Sequence, residues 1–261
     1  MKELKIAQSA ALAAGKIIKS YYGKKFTIRH KGEINLVTEV DEKAQKTILK
    51  IIQKAFPKDA ILAEEGDKSK TEAAPRRWIV DPLDGTTNFA HGYPMFCVSI
   101  GFERDGKMEC GVIYDPLRPE MFHAVRGKGA FLNKKRISVS KPTELRKALL
   151  VTGFPYDLDN PKYNNVPIFL HMLKKAQAIR RDGSAALNLA YVAAGRFDGF
   201  WELGLSPWDI AAGMLLIEEA GGTLSNFAKD KMQITDHHLI AAGPGVFGEL
   251  QSHVHGSWIP A

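Results

Sequence analysis

The sequence predicts an α+β first half joined to an α/β second half around one core. Three observations carry that expectation. Two amphipathic helical stretches open the chain, short apolar segments with hairpin signals follow, and from Ala148 strand-like and helix-like segments alternate. With 261 residues, 45% of them hydrophobic and 25% charged, the chain is long enough to bury a large core without covalent staples.

Leu4, Ala7, Ala11, Ala14, Ile17, Ile18 and Tyr21 recur at helical spacing, which predicts a helix over residues 3–21 ended by Gly23. Residues 29–39 are polar and contain Gly32, so they read as a loop or an edge hairpin. Thr38 with Asp41 three residues on has the form of a capping box, opening a helix that buries Ala44, Ile48, Ile51, Ile52 and Ala55. Pro57-Lys58-Asp59 is a turn, Ala60–Ala63 a short strand ending at Glu64-Glu65-Gly66, and the charged residues 67–77 an exposed loop. Trp78-Ile79-Val80 reads as a buried strand with Asp81 at its end, where Pro82, lacking an N–H, stops the ladder. Residues 96–103 and 108–114 form a strand pair turned by Asp105-Gly106. Residues 121–125, a turn at Gly127-x-Gly129 and a strand over 137–140 extend this β-rich region. Pro142 marks the boundary expected between halves 1–142 and 143–261.

Leu149–Thr152 is the first strand of the second half, followed by a long polar loop over 153–165 and a helix over 166–175. Ala178-Ile179 begin another strand. Ser184 caps a helix running to Ala194 and closed by Gly195. Residues 197–201 read as a strand. A helix over 208–220 follows Pro207 and stops at Gly221-Gly222. Residues 239–242 and 247–253 are the last strand and helix.

Cys97 and Cys110 are the only cysteines, and neither belongs to a CxxC pair, which argues against a disulfide scaffold or a thiolate metal site and for a reducing compartment. The first twenty residues carry Lys2, Lys5, Lys16 and Lys19 and lack the apolar run of a signal peptide. No stretch of about 18 apolar residues is present to span a bilayer, so the expectation is a cytoplasmic protein with no membrane role. The formal charge of +7 is scattered over short clusters such as Lys134-Lys135-Arg136, Lys174-Lys175 and Arg180-Arg181. Without a basic block interleaved with aromatics, nucleic acid is not the expected partner.

The stretch from Trp78 to Phe89 reads W-I-V-D-P-L-D-G-T-T-N-F, and Asp81-Pro82-Leu83-Asp84 inside it is a β-turn candidate. Such a turn holds its first and fourth Cα atoms within roughly 7 Å, so the two carboxylates can converge. Two anions that close repel unless a cation lies between them, and oxygen ligands suit a hard ion such as Mg²⁺. Gly85-Thr86-Thr87 then offers amides and hydroxyls to a phosphate. Asp, Pro and Gly are also ordinary turn formers, and Asp-Pro-x-Asp-Gly alone would equally mark a solvated turn.

The whole string resembles the first signature of the inositol monophosphatase family. A second signature of that family is matched by Trp208-Asp209-Ile210-Ala211-Ala212-Gly213, running on to Glu219-Ala220-Gly221-Gly222. The resemblance covers nearly the whole chain. It implies a layered αβαβα sandwich of the inositol monophosphatase and fructose-1,6-bisphosphatase type. It further implies a Mg²⁺-dependent, lithium-sensitive phosphomonoesterase with two or three ions per site, commonly a homodimer. Inositol 1-phosphate or a similar small polyol phosphate is the implied substrate. Fructose-1,6-bisphosphatase activity on the same scaffold is the alternative, and a partner of transcription or ribosomal machinery an alternative of another class.

Carried over residue by residue, the resemblance makes Glu64 a metal ligand that helps position the attacking water. Here Ala63 and Gly66 flank the Glu-Glu pair where the family usually has glycine and serine. Asp81 bridges two metals, Asp84 binds the second, the Leu83 carbonyl the first, and Asp209 completes the set at the start of its helix. Thr86 bonds the nucleophilic water, and the Gly85 and Thr86 amides receive the phosphate. Lys31 and Asp41 match residues on a mobile loop beside a further metal. Glu202, Ser184 and Ala185 contact the substrate. Arg180 and Arg181 are open to a second phosphate, a subunit contact or plain surface. His237-His238 lack a third ligand at metal spacing and read as loop. Apolar residues Phe154, Tyr156 and Phe169 are the expected dimer contacts.

Overall fold

The computed structural model describes residues 1–30, 36–66, 74–155 and 164–258. The helices are α1 (Lys2–Tyr21), α2 (Glu39–Ala55), α3 (Thr86–Ala90), α4 (Val166–Met172), α5 (Ala185–Ala193), α6 (Pro207–Glu219) and α7 (Pro244–Ser257). Strands β1 (Ile28–His30) and β2 (Leu36–Thr38) form a small antiparallel pair. A seven-stranded sheet runs in sequence order through β3 (Ala60–Ala63), β4 (Arg76–Asp84), β5 (Cys97–Arg104), β6 (Lys107–Asp115), β7 (Glu120–Val125), β8 (Gly129–Leu132) and β9 (Lys135–Arg136). Only its β3–β4 pair is parallel. The second sheet has the order β11-β10-β12-β14-β13, from β10 (Leu149–Thr152), β11 (Ala178–Arg180), β12 (Gly199–Leu203), β13 (Thr223–Ser225) and β14 (His238–Ala242).

These elements stack as αβαβα. Helices α1 and α2 cover the outer face of the first sheet, burying Ala7, Ala11, Ile18, Ala44 and Ile48 against Trp78, Val98 and Ile100. Helices α5 and α6 fill the middle layer, where Leu187, Leu189, Leu215 and Leu216 join Ile113 and Phe122 of the first sheet and Val151 and Phe200 of the second. Helices α4 and α7 close the far side over Leu150, Trp201 and Ile240. All strands of the first sheet precede Pro142 and all strands of the second follow it, but the middle core draws on both halves.

The middle layer explains a run of small residues. Gly101 and Gly111 face each other across β5 and β6. A Cβ on Gly111 would lie 2.9 Å from the Ala212 backbone, and one on Gly213 would lie 2.5 Å from Leu189. The Ala211-Ala212-Gly213 segment is therefore small because α6 is wedged between a glycine floor and α5. That close seat fixes where the N-terminus of α6, with Asp209, must lie.

Several expectations are met residue for residue. Thr38 and Asp41 form a capping box at α2. The pair Asp105 (φ 49) and Gly106 (φ 73) turns β5 into β6 with the double positive φ of a tight hairpin. Of residues 29–39, Arg29-His30 and Leu36–Thr38 lie in the antiparallel β1–β2 pair, and 31–35 lie outside the described residues.

Others are corrected. Pro82 does not end a strand: β4 runs to Asp84, with Asp81 opposite Ser99 and Asp84 opposite Cys97. Three steps on β4 face two on β5, so the expected β-turn is instead a bulge, and Pro82 sits where a missing N–H costs no ladder bond. Arg76 and Arg77 belong to β4 rather than to a loop, because Asp59 and Glu103 pair with them. Residues 137–140 form no strand: Ile137 donates to the Ala130 carbonyl and Val139 to that of Ala220. Strand β12 starts two residues late, since Asp198 is drawn to Leu149 by two hydrogen bonds. His238 lies in β14, not in a loop.

Candidate active site

Four chain segments bring carboxylates to one pocket of about 380 Å³. Ala63 pairs with Val80 in the parallel β3–β4 ladder, so Glu64 emerges beside Asp81, its amide donating to the Val80 carbonyl at 3.1 Å. The bulge in β4 presents Asp81 and Asp84 together. Asp209 sits in the first turn of α6, where the helix dipole favours an anion. Glu202, next to last in β12, lines the same pocket. One carboxylate oxygen each from Asp81, Asp84 and Asp209 lie within 4.8 Å of one another.

Each of these three side chains is oriented by the protein. Asp81 Oδ1 accepts from the Leu83 amide at 2.9 Å. Asp84 Oδ2 accepts from the Ala186 amide at 2.9 Å, from the Ser184 hydroxyl and, more weakly, from the Cys97 thiol at 3.7 Å. Asp209 Oδ2 accepts from the Ser206 amide at 2.7 Å. Such outer partners aim a carboxylate at a fixed point.

The concentration of negative charge shows in the proton affinities. Burial, followed by the charges of Glu64, Asp84 and Asp209, pushes Asp81 well above the usual carboxylate range. Burial raises Asp84 as well, opposed by its bonds from Ser184, Ala186 and Cys97. Glu202 is raised by burial and by Asp209 and Asp84, with Arg181 pulling the other way. Anions in that density call for cations, and the donor set is all oxygen, which fits Mg²⁺. Cys97 does not alter that fit, because burial and Asp84 hold its thiol far above the range in which it would ionise.

Asp41 is not a loop residue. It occupies the first turn of α2 and is fully buried, its Oδ2 taken by the Thr38 amide at 2.8 Å and the Thr38 hydroxyl. Its Oδ1 accepts from Thr86 Oγ1 at 2.9 Å, and Thr86 Oγ1 is also 3.0 Å from the Leu83 carbonyl. Both Asp41 oxygens thus accept hydrogen bonds, one of them from Thr86. Lys31 lies outside the described residues. Gly85 takes φ +96 to turn from the bulge into α3, and a Cβ there would meet the Met95 carbonyl at 2.8 Å. Glycine is required at that corner, which puts the Gly85 and Thr86 amides at a helix start.

Ser184 is also corrected. It stands at the N-cap of α5 but is buried with its hydroxyl on Asp84 and makes no side-chain cap bond, whereas Ala185 lines the pocket. Arg181 reaches the pocket and Arg180 is an exposed strand-end residue. Sequence reasoning missed Asn88, whose side-chain amide bridges the Met95 and Asp182 carbonyls at 2.7 Å each and ties the two sides of the cleft. Its place inside the first motif was the available signal. Nothing in the sequence singled out Gly153 or Cys97.

A five-layered scaffold with an acidic cleft at its strand ends defines a phosphatase of the αβαβα class. The chain belongs to the inositol monophosphatase family, whose sequence pattern matches residues 2–257. It is 45% identical to an inositol-1-monophosphatase of Synechocystis sp., over 95% of this chain and 86% of that protein. It is 44% identical to the Nus factor SuhB of Pseudomonas aeruginosa, over 95% of this chain and 93% of that one. Among solved structures, the extragenic suppressor protein suhB of Bartonella henselae superposes with a TM-score of 0.92 at 39% identity, covering 97% of this chain and 98% of that one.

Proposed function

We propose that this chain hydrolyses inositol 1-phosphate or a similar small polyol phosphate with Mg²⁺ as cofactor. The observation that carries the proposal is the convergence of Asp81, Asp84 and Asp209 in a pocket that Glu202 also lines. Glu64, Asp81, Asp84, Asp209 and the Leu83 carbonyl are the groups that would hold two or three ions. Bound there, Mg²⁺ would lower the pKa of water and neutralise charge on the leaving oxygen.

The chain's own residues supply the rest. The Thr86 hydroxyl donates a hydrogen bond to Asp41, leaving its oxygen lone pairs to accept from a water in the pocket. Asp41, raised by burial, is a stronger base than an exposed carboxylate and can receive a proton through Thr86. The Gly85 and Thr86 amides at the start of α3 bind phosphate oxygens. Glu202 accepts hydrogen bonds from polyol hydroxyls and orients the leaving group. Turnover of a phosphate-ester panel that includes inositol 1-phosphate and fructose 1,6-bisphosphate, with and without EDTA, tests this. Release of phosphate that EDTA does not suppress would end the metal assignment, and preference for the bisphosphate would move the substrate to the alternative reading.

A second reading is favoured by the relative named Nus factor SuhB: a role beside transcription machinery, which the +7 charge would suit. Co-purification with RNA polymerase from lysate tests it. We also propose a homodimer in a reducing compartment such as the cytoplasm. Cys97 and Cys110 are both buried and unpaired, and no described helix is long and apolar enough to cross a membrane. The dimer contact moves from the residues first expected. Phe154 and Phe169 are half-buried and packed edge to face at 5.6 Å, and Tyr156 lies outside the described residues. Val166, Leu170 and Leu173 on and just beyond α4 are instead 41%, 56% and 51% exposed, a stripe suited to a second copy. Sedimentation showing only monomer at micromolar concentration would count against it.

A further inference from the structure

We propose that Gly153 and Asn165 are positioning residues that set the leaving-group selectivity of the pocket by holding Glu202 in place. The inference rests on the polyol-phosphatase reading above.

Thr152 at the end of β10 is in register with Trp201 on β12, so the next residues, Gly153 and Glu202, lie side by side. A Cβ on Gly153 would fall 2.0 Å from Glu202 Oε1, 2.2 Å from Cδ and 2.3 Å from Oε2. The Glu202 carboxylate thus lies flat on the Gly153 backbone, in the space a side chain at 153 would occupy. Any residue other than glycine must push the carboxylate off that seat and redirect it within the pocket that both residues line.

Asn165 keeps the seat in register. It is the N-cap residue of α4, a position where asparagine ordinarily bonds the first helical amides, yet its side chain makes no cap bond. Asn164 Oδ1 accepts from the Val166 amide instead. The Asn165 side chain turns inward, fully buried, and donates to the Gly153 carbonyl at 2.6 Å and to Thr152 Oγ1 at 2.9 Å. Its Oδ1 accepts from Trp201 Nε1 at 2.8 Å, and Thr152 Oγ1 donates to the Trp201 carbonyl at 2.6 Å. One buried amide therefore locks the residue beneath the carboxylate to the residue preceding Glu202 in its strand. Buried networks of this kind fix a single arrangement when every member is satisfied.

The test compares kcat/KM for inositol 1-phosphate and p-nitrophenyl phosphate in Mg²⁺ for wild type, Gly153→Ala, Asn165→Asp, Glu202→Gln and the double variant Gly153→Ala/Glu202→Gln. The aryl ester has no hydroxyls for Glu202 to hold. The polyol-to-aryl ratio is expected to fall about tenfold or more in both Gly153→Ala and Asn165→Asp, the scale of one charged hydrogen bond. The double variant should stay within about threefold of Glu202→Gln alone, because Gly153 acts only through that carboxylate. An unchanged ratio in Gly153→Ala, or losses that multiply in the double variant, would overturn the inference while leaving the phosphatase reading intact. A wild-type chain that turns over neither ester with Mg²⁺ would overturn both. Should Asn165→Asp fail to fold, Gly153→Ala and the double variant decide the question.

Discussion

Asp81 is 2% exposed and surrounded by Glu64, Asp84 and Asp209, so in the absence of cations it is an energetic liability. At this scale two predictions follow from opposite sides of the same charge. Asp81→Asn and Asp209→Asn should each retain under about a tenth of wild-type turnover at saturating Mg²⁺, since each supplies charge to the cluster. In EDTA, however, Asp81→Asn should melt above the wild type. Its raised affinity means that the native chain keeps a proton which the unfolded chain releases near the ordinary carboxylate range. Metal-free stability then falls as pH rises from that range toward the raised value. The advantage of the asparagine variant should accordingly be largest near neutrality and vanish toward about pH 4, as thermal melts across that range will show. Thr86 invites a further measurement. Thr86→Ala should lower kcat by about 10²-fold or more with KM little changed, the pattern for a group that handles the water's proton and does not grip the substrate.

At the scale of the element, two of the helix starts near the site combine capping with chemistry. Asp41 completes the capping box of α2 and engages Thr86, while Asp209 closes the first turn of α6 and joins the acidic cluster. Thr38→Ala should therefore do two things at once. Loss of the cap should destabilise by about 1 kcal/mol, a fall in Tm of roughly 2–4 °C. It should also lower kcat, because Asp41 loses the hydroxyl that holds its second oxygen. The seat of α6 is the other elemental constraint. Gly111→Val drives a side chain into the Ala212 backbone, and overpacking of that kind costs about 1–3 kcal/mol. The helix can relieve it only by lifting away from β6, which carries Asp209 with it, so calorimetry should show weakened Mg²⁺ binding alongside the lower Tm.

Across the whole molecule, the cluster joins the two halves of the chain. Asp81 and Asp84 belong to the first sheet, and Asp209 to a helix of the second half that packs between the two sheets. An ion held between them favours the folded assembly by mass action. At Mg²⁺ concentrations of about 100 times Kd, stability should rise by about 2.7 kcal/mol, or roughly 5–10 °C in Tm. The increment should grow with pH, because the ligand carboxylates must give up their protons to the ion. A Tm indifferent to Mg²⁺ would contradict the assignment.

What the sequence determined by itself is what a few neighbouring residues decide. The spacing of Ala7, Ala11, Ala14 and Ile18 sets α1, Thr38 and Asp41 set the start of α2, Asp105-Gly106 sets the hairpin, and both acidic motifs are legible as strings. These depend on backbone sterics and on bonds between residues three or four apart, which any copy of the local sequence would make. Only the tertiary structure decided that β4 continues through Pro82, since a bulge exists only against the partner strand β5. The same holds for Asp41 meeting Thr86 across 45 positions, for Ser184 holding Asp84 across 100, and for Glu202 resting on Gly153. Each of those contacts joins elements far apart in sequence that only the packed fold brings together. Spacing along the chain cannot encode which side chains that packing brings within hydrogen-bond reach, because the partners are chosen by the register and depth of elements far apart in sequence.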